Sequence, residues 1–145
     1  MPPAPEDTDI FFPDVGCFGC SQSNEDGLQI AFRRTADVVS TRHTIADRFH
    51  GAPEMAHGGI VATLLDEVSC AAVSFVVDRF VVTGELTIRY EAPVPVAVPL
   101  EVQARITSQE HAKYAVVEGR VLRDGAVLAR SSGKFFYQER LEPAP

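Results

Sequence analysis

Two groups of residues in this chain have the types and spacing that chemistry needs. The first is His57-Gly58-Gly59 followed by Asp66 and Glu67. If the glycines open a helix, their backbone N–H groups are unpaired and sit at the positive end of the helix dipole. Without side chains, they also leave room for a ligand carbonyl or phosphate. Such a start can serve as an oxyanion hole; equally, Gly-Gly can simply let a loop turn into the helix, with His57 as a capping or packed residue. Asp66 on the enclosed side of a buried helix would be desolvated, which makes it either a functional carboxylate or the partner of an arginine. Glu67 is turned about 100° further round and reads as the solvated or salt-bridged member of the pair.

The second group is Cys17-x-x-Cys20. A structural zinc takes four ligands, yet there is no second Cys-x-x-Cys, and His43, His50, His57 and His111 are scattered. The pair therefore reads as part of a turn-rich cap, and no metal is expected. Cys70, one turn after Asp66, reads as a small packing residue.

The element that must position these groups is the stretch Ala56 to Val77, free of proline and apolar around most of its circumference, as an enclosed helix should be. At 3.6 residues per turn, Ile60, Val61, Leu64, Leu65, Val68, Ala71, Ala72, Phe75 and Val76 form a core stripe. Opposite them Gly59, Ala62, Thr63, Asp66, Ser69 and Cys70 form a face of small residues that something can approach closely. Leu28–Arg34 and Val38–Ala46 have strand character, the first by alternation and the second by its β-branched residues, and Thr35-Ala36-Asp37 links them as a hairpin. After the helix come Val81–Tyr90, with Val82, Leu86, Ile88 and Tyr90 on one face, then Leu100–Thr107, Tyr114–Leu122 and Val127–Tyr137. Asp124-Gly125 is a strong hairpin signal between the last two. The order predicts an α+β fold: an antiparallel sheet of five to six strands wrapped around one long central helix. Residues 10–138 form this single domain; the Pro-rich residues 1–9 and the segment 139–145 read as disordered tails.

Bulk properties narrow the function. A net charge of -7 argues against a general nucleic-acid binder. No apolar run reaches the ~18 charge-free residues of a membrane span, so no membrane partner is expected. The acidic, Pro-rich start is unlike a signal peptide, and three cysteines without a secretion signal do not make a disulfide framework. The expected location is the cytoplasm.

Three stretches carry a resemblance. His57-Gly58-Gly59 with an acid nine residues after the histidine, the upstream Cys17-Phe-Gly-Cys-Ser-Gln-Ser-Asn24-Glu-Asp-Gly27-Leu28, and the downstream Val82-Thr83 through Tyr90 to Pro93-Val-Pro95 resemble the hotdog-fold acyl-CoA thioesterases. The branch is the phenylacetate-degradation and 4-hydroxybenzoyl-CoA type, and the similarity runs from about Cys17 to Tyr137. It implies homodimers whose sheets join into one layer, or homotetramers built as dimers of dimers, with active sites between subunits. The implied substrate is an acyl-CoA with a medium-chain or aromatic acyl group, and no cofactor is needed. By the same resemblance, the helix start at His57, Gly58 and Gly59 polarises the thioester carbonyl through the Gly59 N–H. Asp66 of the other subunit acts as general base or nucleophile, and Thr83 orients the water or the carboxylate. Thr63, Cys70, Arg89 and Tyr90 are the implied substrate-binding residues, with Arg33, Arg34, Arg89, Arg105, Arg120 and Lys113 available to the CoA phosphates. Three alternatives stay open: a non-catalytic acyl-thioester binding module, an acyl-carrier-protein thioesterase, and an enoyl-thioester hydratase or dehydratase. The last would use an Asp a few residues from the helix-start His, and none precedes His57 at that distance.

Overall fold

The structure, a computed structural model, describes residues 7–139. Most of the expected N-terminal tail, and all but Glu139 of the C-terminal one, lie outside these residues. The elements are β1 (Thr8–Ile10), β2 (Phe32–Thr35), β3 (Val38–Thr44), α1 (Gly58–Val76), β4 (Val81–Tyr90), β5 (Pro99–Ser108), β6 (Tyr114–Arg123) and β7 (Ala126–Tyr137). All seven strands join one antiparallel sheet in the order β1-β2-β3-β5-β6-β7-β4. α1 carries the chain from β3 to β4 at the far edge and packs on β3, β4, β5, β6 and β7. At the β6–β7 turn, Asp124 and Gly125 both take positive φ, 48° and 81°, which a two-residue hairpin with native twist requires.

The sheet has one strand more than the sequence pattern predicts. β1 takes in Thr8 and Asp9, two residues assigned to the tail. It is held by pairing with β2 and by an ion pair of Asp9 with Arg33, and three largely polar residues carry no readable alternation. Leu28–Ala31 departs in the other direction, because it is not strand. Gln29 takes a φ of 52°, and the Leu28 and Ile30 amides donate to the carbonyls of Phe18 and Gly19 at 2.8 and 2.9 Å. The alternation read there is real, since Leu28 and Ile30 are buried, but it is satisfied by the cysteine loop instead of a neighbouring strand.

α1 is apolar and long enough to suit a membrane span by composition alone; here the sheet covers it. Val61, Leu64, Leu65, Val68, Ala71 and Ala72 are fully buried, which matches the core stripe. Ser69 was placed with the small-residue face, yet it is enclosed and its hydroxyl has no hydrogen-bond partner. The buried arc is wider than the stripe, because the curled sheet reaches further round the helix. At the other end of α1, Arg34 Nη1 donates to the Phe75 carbonyl at 2.8 Å, placing a cation on the negative end of the helix dipole.

β4 departs from simple alternation. Its register against β7 slips between Thr83 and Glu85, so Gly84 sits in a bulge. A Cβ on Gly84 would run into the Phe136 ring, so any larger residue there would have to push that ring aside. A bulge changes which residues face inward. Before it, Val81 is buried and Thr83 reaches α1; after it, Leu86 and Ile88 pack on the core. Val82 therefore does not share a face with Leu86 and Ile88, and it is 44% exposed.

Candidate active site

The helix start is built by its loop. The His57 N–H donates to the Phe49 carbonyl, the Ala56 N–H to that of Val94, and the Ile60 and Val61 amides to the His57 carbonyl. His57 is thus the N-cap, and its Nδ1 accepts the Gly59 N–H at 2.9 Å. The capping reading of His57 describes the structure, and the donor expected to meet a substrate carbonyl already has an internal acceptor. His57, Gly58 and Gly59 are all exposed, so a ligand that turns the imidazole aside can reach the amide. Tyr90 Oη donates to the Gly58 carbonyl at 2.7 Å, tying the end of β4 to this corner. Replacing His57 by alanine removes the cap, and a fall of about 1 kcal/mol in unfolding free energy is expected from a denaturant titration.

Asp66 lies about two turns along α1 and is half-buried. Thr83 Oγ1 donates to its Oδ1 at 2.5 Å, and Cys70 Sγ lies 3.5 Å from the same hydroxyl. Of the donors the sequence offers near Asp66, only Thr83 is used: Thr63 Oγ1 donates back to the Gly59 carbonyl at 2.9 Å, and Ser69 is buried. Burial, and secondarily the charge of Asp66, pushes the Cys70 thiol up to about 12, so it stays protonated at neutral pH and is no nucleophile.

Arg89 is not brought to this site. Inward Ile88 leaves Arg89 on the sheet face away from α1, where it joins Arg105, Arg120 and Arg130 around a hollow of about 670 Å³. The sheet separates that hollow from Asp66 of the same chain.

Glu67 is not a solvated carboxylate. It is half-buried beneath the cysteine loop, with Cys17 Sγ 3.6 Å from its Oε1. Burial above all raises the Glu67 carboxyl and the Cys20 thiol. Cys17, Cys20 and Cys70 are free thiols. Beside this cluster a largely apolar cavity of about 620 Å³ is lined by Phe12, Val15, Cys70, Ser74 and Phe80 among others. Its wall at Cys70 adjoins the Thr83–Asp66 pair. Sequence reasoning does not single out Phe12 or Phe80 as site residues: Phe12 is half-buried against the core and Phe80 is 44% exposed, and nothing in their sequence neighbours marks either for a cavity wall.

One helix laid in a wrapped antiparallel sheet, with a carboxylate on the helix face that the sheet leaves open, is the hotdog architecture. The chain belongs to the Thioesterase superfamily, whose sequence model matches residues 54–129, more than half of the chain. Thioester hydrolysis is the chemistry that family is named for. A crystallised thioesterase superfamily protein superposes with a TM-score of 0.73 at 23% identity over 81% of this chain and 58% of the other, so the chain spans less than two thirds of that protein. The Escherichia coli PaaI protein, from the phenylacetic acid degradation operon, gives a TM-score of 0.70 at 18% identity, covering 77% of this chain and 81% of that one. A Streptococcus mutans protein solved with acetyl-CoA bound gives 0.66 at 21%, covering 73% and 85%. At these identities the likeness is one of fold. No curated protein matches the chain.

Proposed function

We propose that this protein is a cytoplasmic acyl-CoA thioesterase, acting on medium-chain or aromatic acyl groups at a site that two copies of the chain complete. The observation that carries this reading is the Asp66–Thr83 pair beside an apolar cavity within the 300–1,000 Å³ range of small-molecule pockets. Seven residues of helix separate Gly59 from Asp66, about 10 Å of rise. Reacting groups must approach to about 3–3.5 Å, so the amide and the carboxylate of one helix do not converge on one carbonyl. A partner helix that supplies the Gly59 amide resolves this. β4 favours such a partner, since it is an edge strand of ten residues, and its exposed Val82 and Tyr90 suit extension of the sheet by a second copy.

In this mechanism the thioester oxygen replaces His57 Nδ1 as acceptor of the Gly59 N–H. Asp66, held by Thr83, takes a proton from a water that attacks the carbonyl carbon. The tetrahedral intermediate collapses with cleavage of the C–S bond, and the departing CoA sulfur takes up the proton. Direct attack by Asp66 would instead break the C–S bond, expel CoA thiolate and give an acyl–aspartyl anhydride. Water then opens it to the free acid and the Asp66 carboxylate, and the proton it releases goes to the CoA sulfur. The apolar cavity receives the acyl group in either case.

The test is free-thiol release from a panel of medium-chain and aromatic acyl-CoA esters. Binding without turnover of any member would overturn the reading. Shared sites are tested by co-expressing Asp66→Asn with Gly59→Pro, which deletes the amide donor in the first helical turn where proline is tolerated. Each variant alone should be inactive, whereas random pairing should restore about a quarter of wild-type activity, because half the dimers carry one intact site of two. No recovery would place the whole site in one chain. Thr83→Val should lower kcat about ten- to a hundredfold with KM nearly unchanged, as expected for loss of a hydrogen bond to a charged positioned group.

A further inference from the structure

The cysteine loop and α1 meet in a cluster that thioester hydrolysis does not use. Cys17 and Cys20 flank a turn closed by the Ser21 N–H on the Cys17 carbonyl at 3.1 Å. Gly19, at the crest of that turn, lies so near α1 that a Cβ there would run into the Glu67 carboxyl. The loop is anchored again behind, where the Leu28 and Ile30 amides hold the carbonyls of Phe18 and Gly19. These contacts fix both sulfurs over one carboxylate from a residue fifty positions away.

One ligand atom from each of Cys17, Cys20 and Glu67 lies within 4.8 Å of the other two, and Cys17 Sγ is 3.6 Å from Glu67 Oε1. A tetrahedral zinc with bonds of about 2.3 Å to sulfur and about 2.0–2.2 Å to oxygen holds neighbouring ligand atoms about 3.5–3.8 Å apart. The cluster therefore needs only small side-chain adjustments to surround such an ion. Its charge points the same way. All three residues are half-buried, and among the described residues no lysine, arginine or histidine forms an ion pair with Glu67. A carboxylate withdrawn from water without a cation is costly, and a divalent ion would remove that cost.

We propose that Cys17, Cys20 and Glu67 form a binding site for a soft divalent cation. Zinc is the ion that two thiolates and a carboxylate favour. Binding releases the two thiol protons to solvent, and a water from the adjoining cavity fills the fourth position. The ion clamps the N-terminal loop to α1 beside Asp66 and so shapes one wall of the cavity. The site stands independently of which thioester the protein hydrolyses.

The test uses the full chain, reduced, stripped with chelator and desalted, then titrated with cobalt(II) and afterwards zinc(II). One equivalent of cobalt per chain should develop a thiolate-to-metal charge-transfer band that zinc abolishes, and zinc should raise the melting temperature. Cys17→Ser and Cys20→Ser should each weaken binding about tenfold or more and diminish the band. Cys70→Ser should leave both unchanged. Glu67→Gln, close to isosteric, should keep the band while binding more weakly, which separates metal loss from misfolding should either cysteine variant fail to fold. No band at stoichiometric cobalt, or variants at Cys17 and Cys20 that bind as the parent does, would overturn the proposal; unchanged affinity in Glu67→Gln would remove Glu67 from it.

Discussion

An Asp66→Asn chain is expected to hydrolyse acyl-CoA thioesters about a hundred- to ten-thousandfold more slowly than the parent while folding normally. The amide has the shape of the carboxylate, and its oxygen can still accept the Thr83 hydroxyl that now donates to Oδ1 at 2.5 Å. It can neither take a proton from water nor attack a carbonyl, so the loss falls on kcat and leaves substrate binding in place. Steady-state rates on the best ester of the panel, with circular dichroism as the control for folding, decide the matter. A variant within a few-fold of the parent would mean that some other group activates the water.

Phe135→Ala should have the largest effect on stability, about 3–5 kcal/mol out of a total that for a domain of this kind is about 5–15 kcal/mol. Phe135 is 0% exposed, stands opposite Ala115 on β6 and Thr83 on β4, and its ring fills the space beside Gly133. No neighbouring backbone can collapse into the void without disturbing two strand pairings. Urea titration should show a lowered midpoint with an unchanged slope. A loss below about 1 kcal/mol would show that the sheet relaxes around the cavity. Since Phe135 lies across from Thr83, residual activity in the surviving folded fraction should fall as well.

The sequence makes legible whatever depends on near neighbours along the chain. The helical phase of Leu64, Leu65 and Val68, the turn at Asp124-Gly125, and Asp66 two turns beyond the glycines are all local patterns, and the structure keeps them. What it hides depends on distant contacts. Glu67 looks like a solvated acid because the loop that covers it lies fifty residues upstream. Arg89 looks like a phosphate ligand near the site until the sheet gathers it with Arg105, Arg120 and Arg130, from three other strands, on the face away from α1. The Gly59 N–H can stand open to a ligand or be capped by His57, and here His57 caps it. Only the rotamer of a single exposed side chain separates them, and composition says nothing about that.

The bulge at Gly84 has one further consequence. Residues of a strand face one way or the other according to whether their numbers are odd or even, so an unbroken β4 could offer α1 either Thr83 or the pair Leu86 and Ile88, never both. Holding a carboxylate and sealing a core would then be rival demands on one ten-residue strand. The single extra residue between Thr83 and Glu85 switches the parity midway. The first part of β4 can hold the Asp66 carboxylate while the second part seals the core.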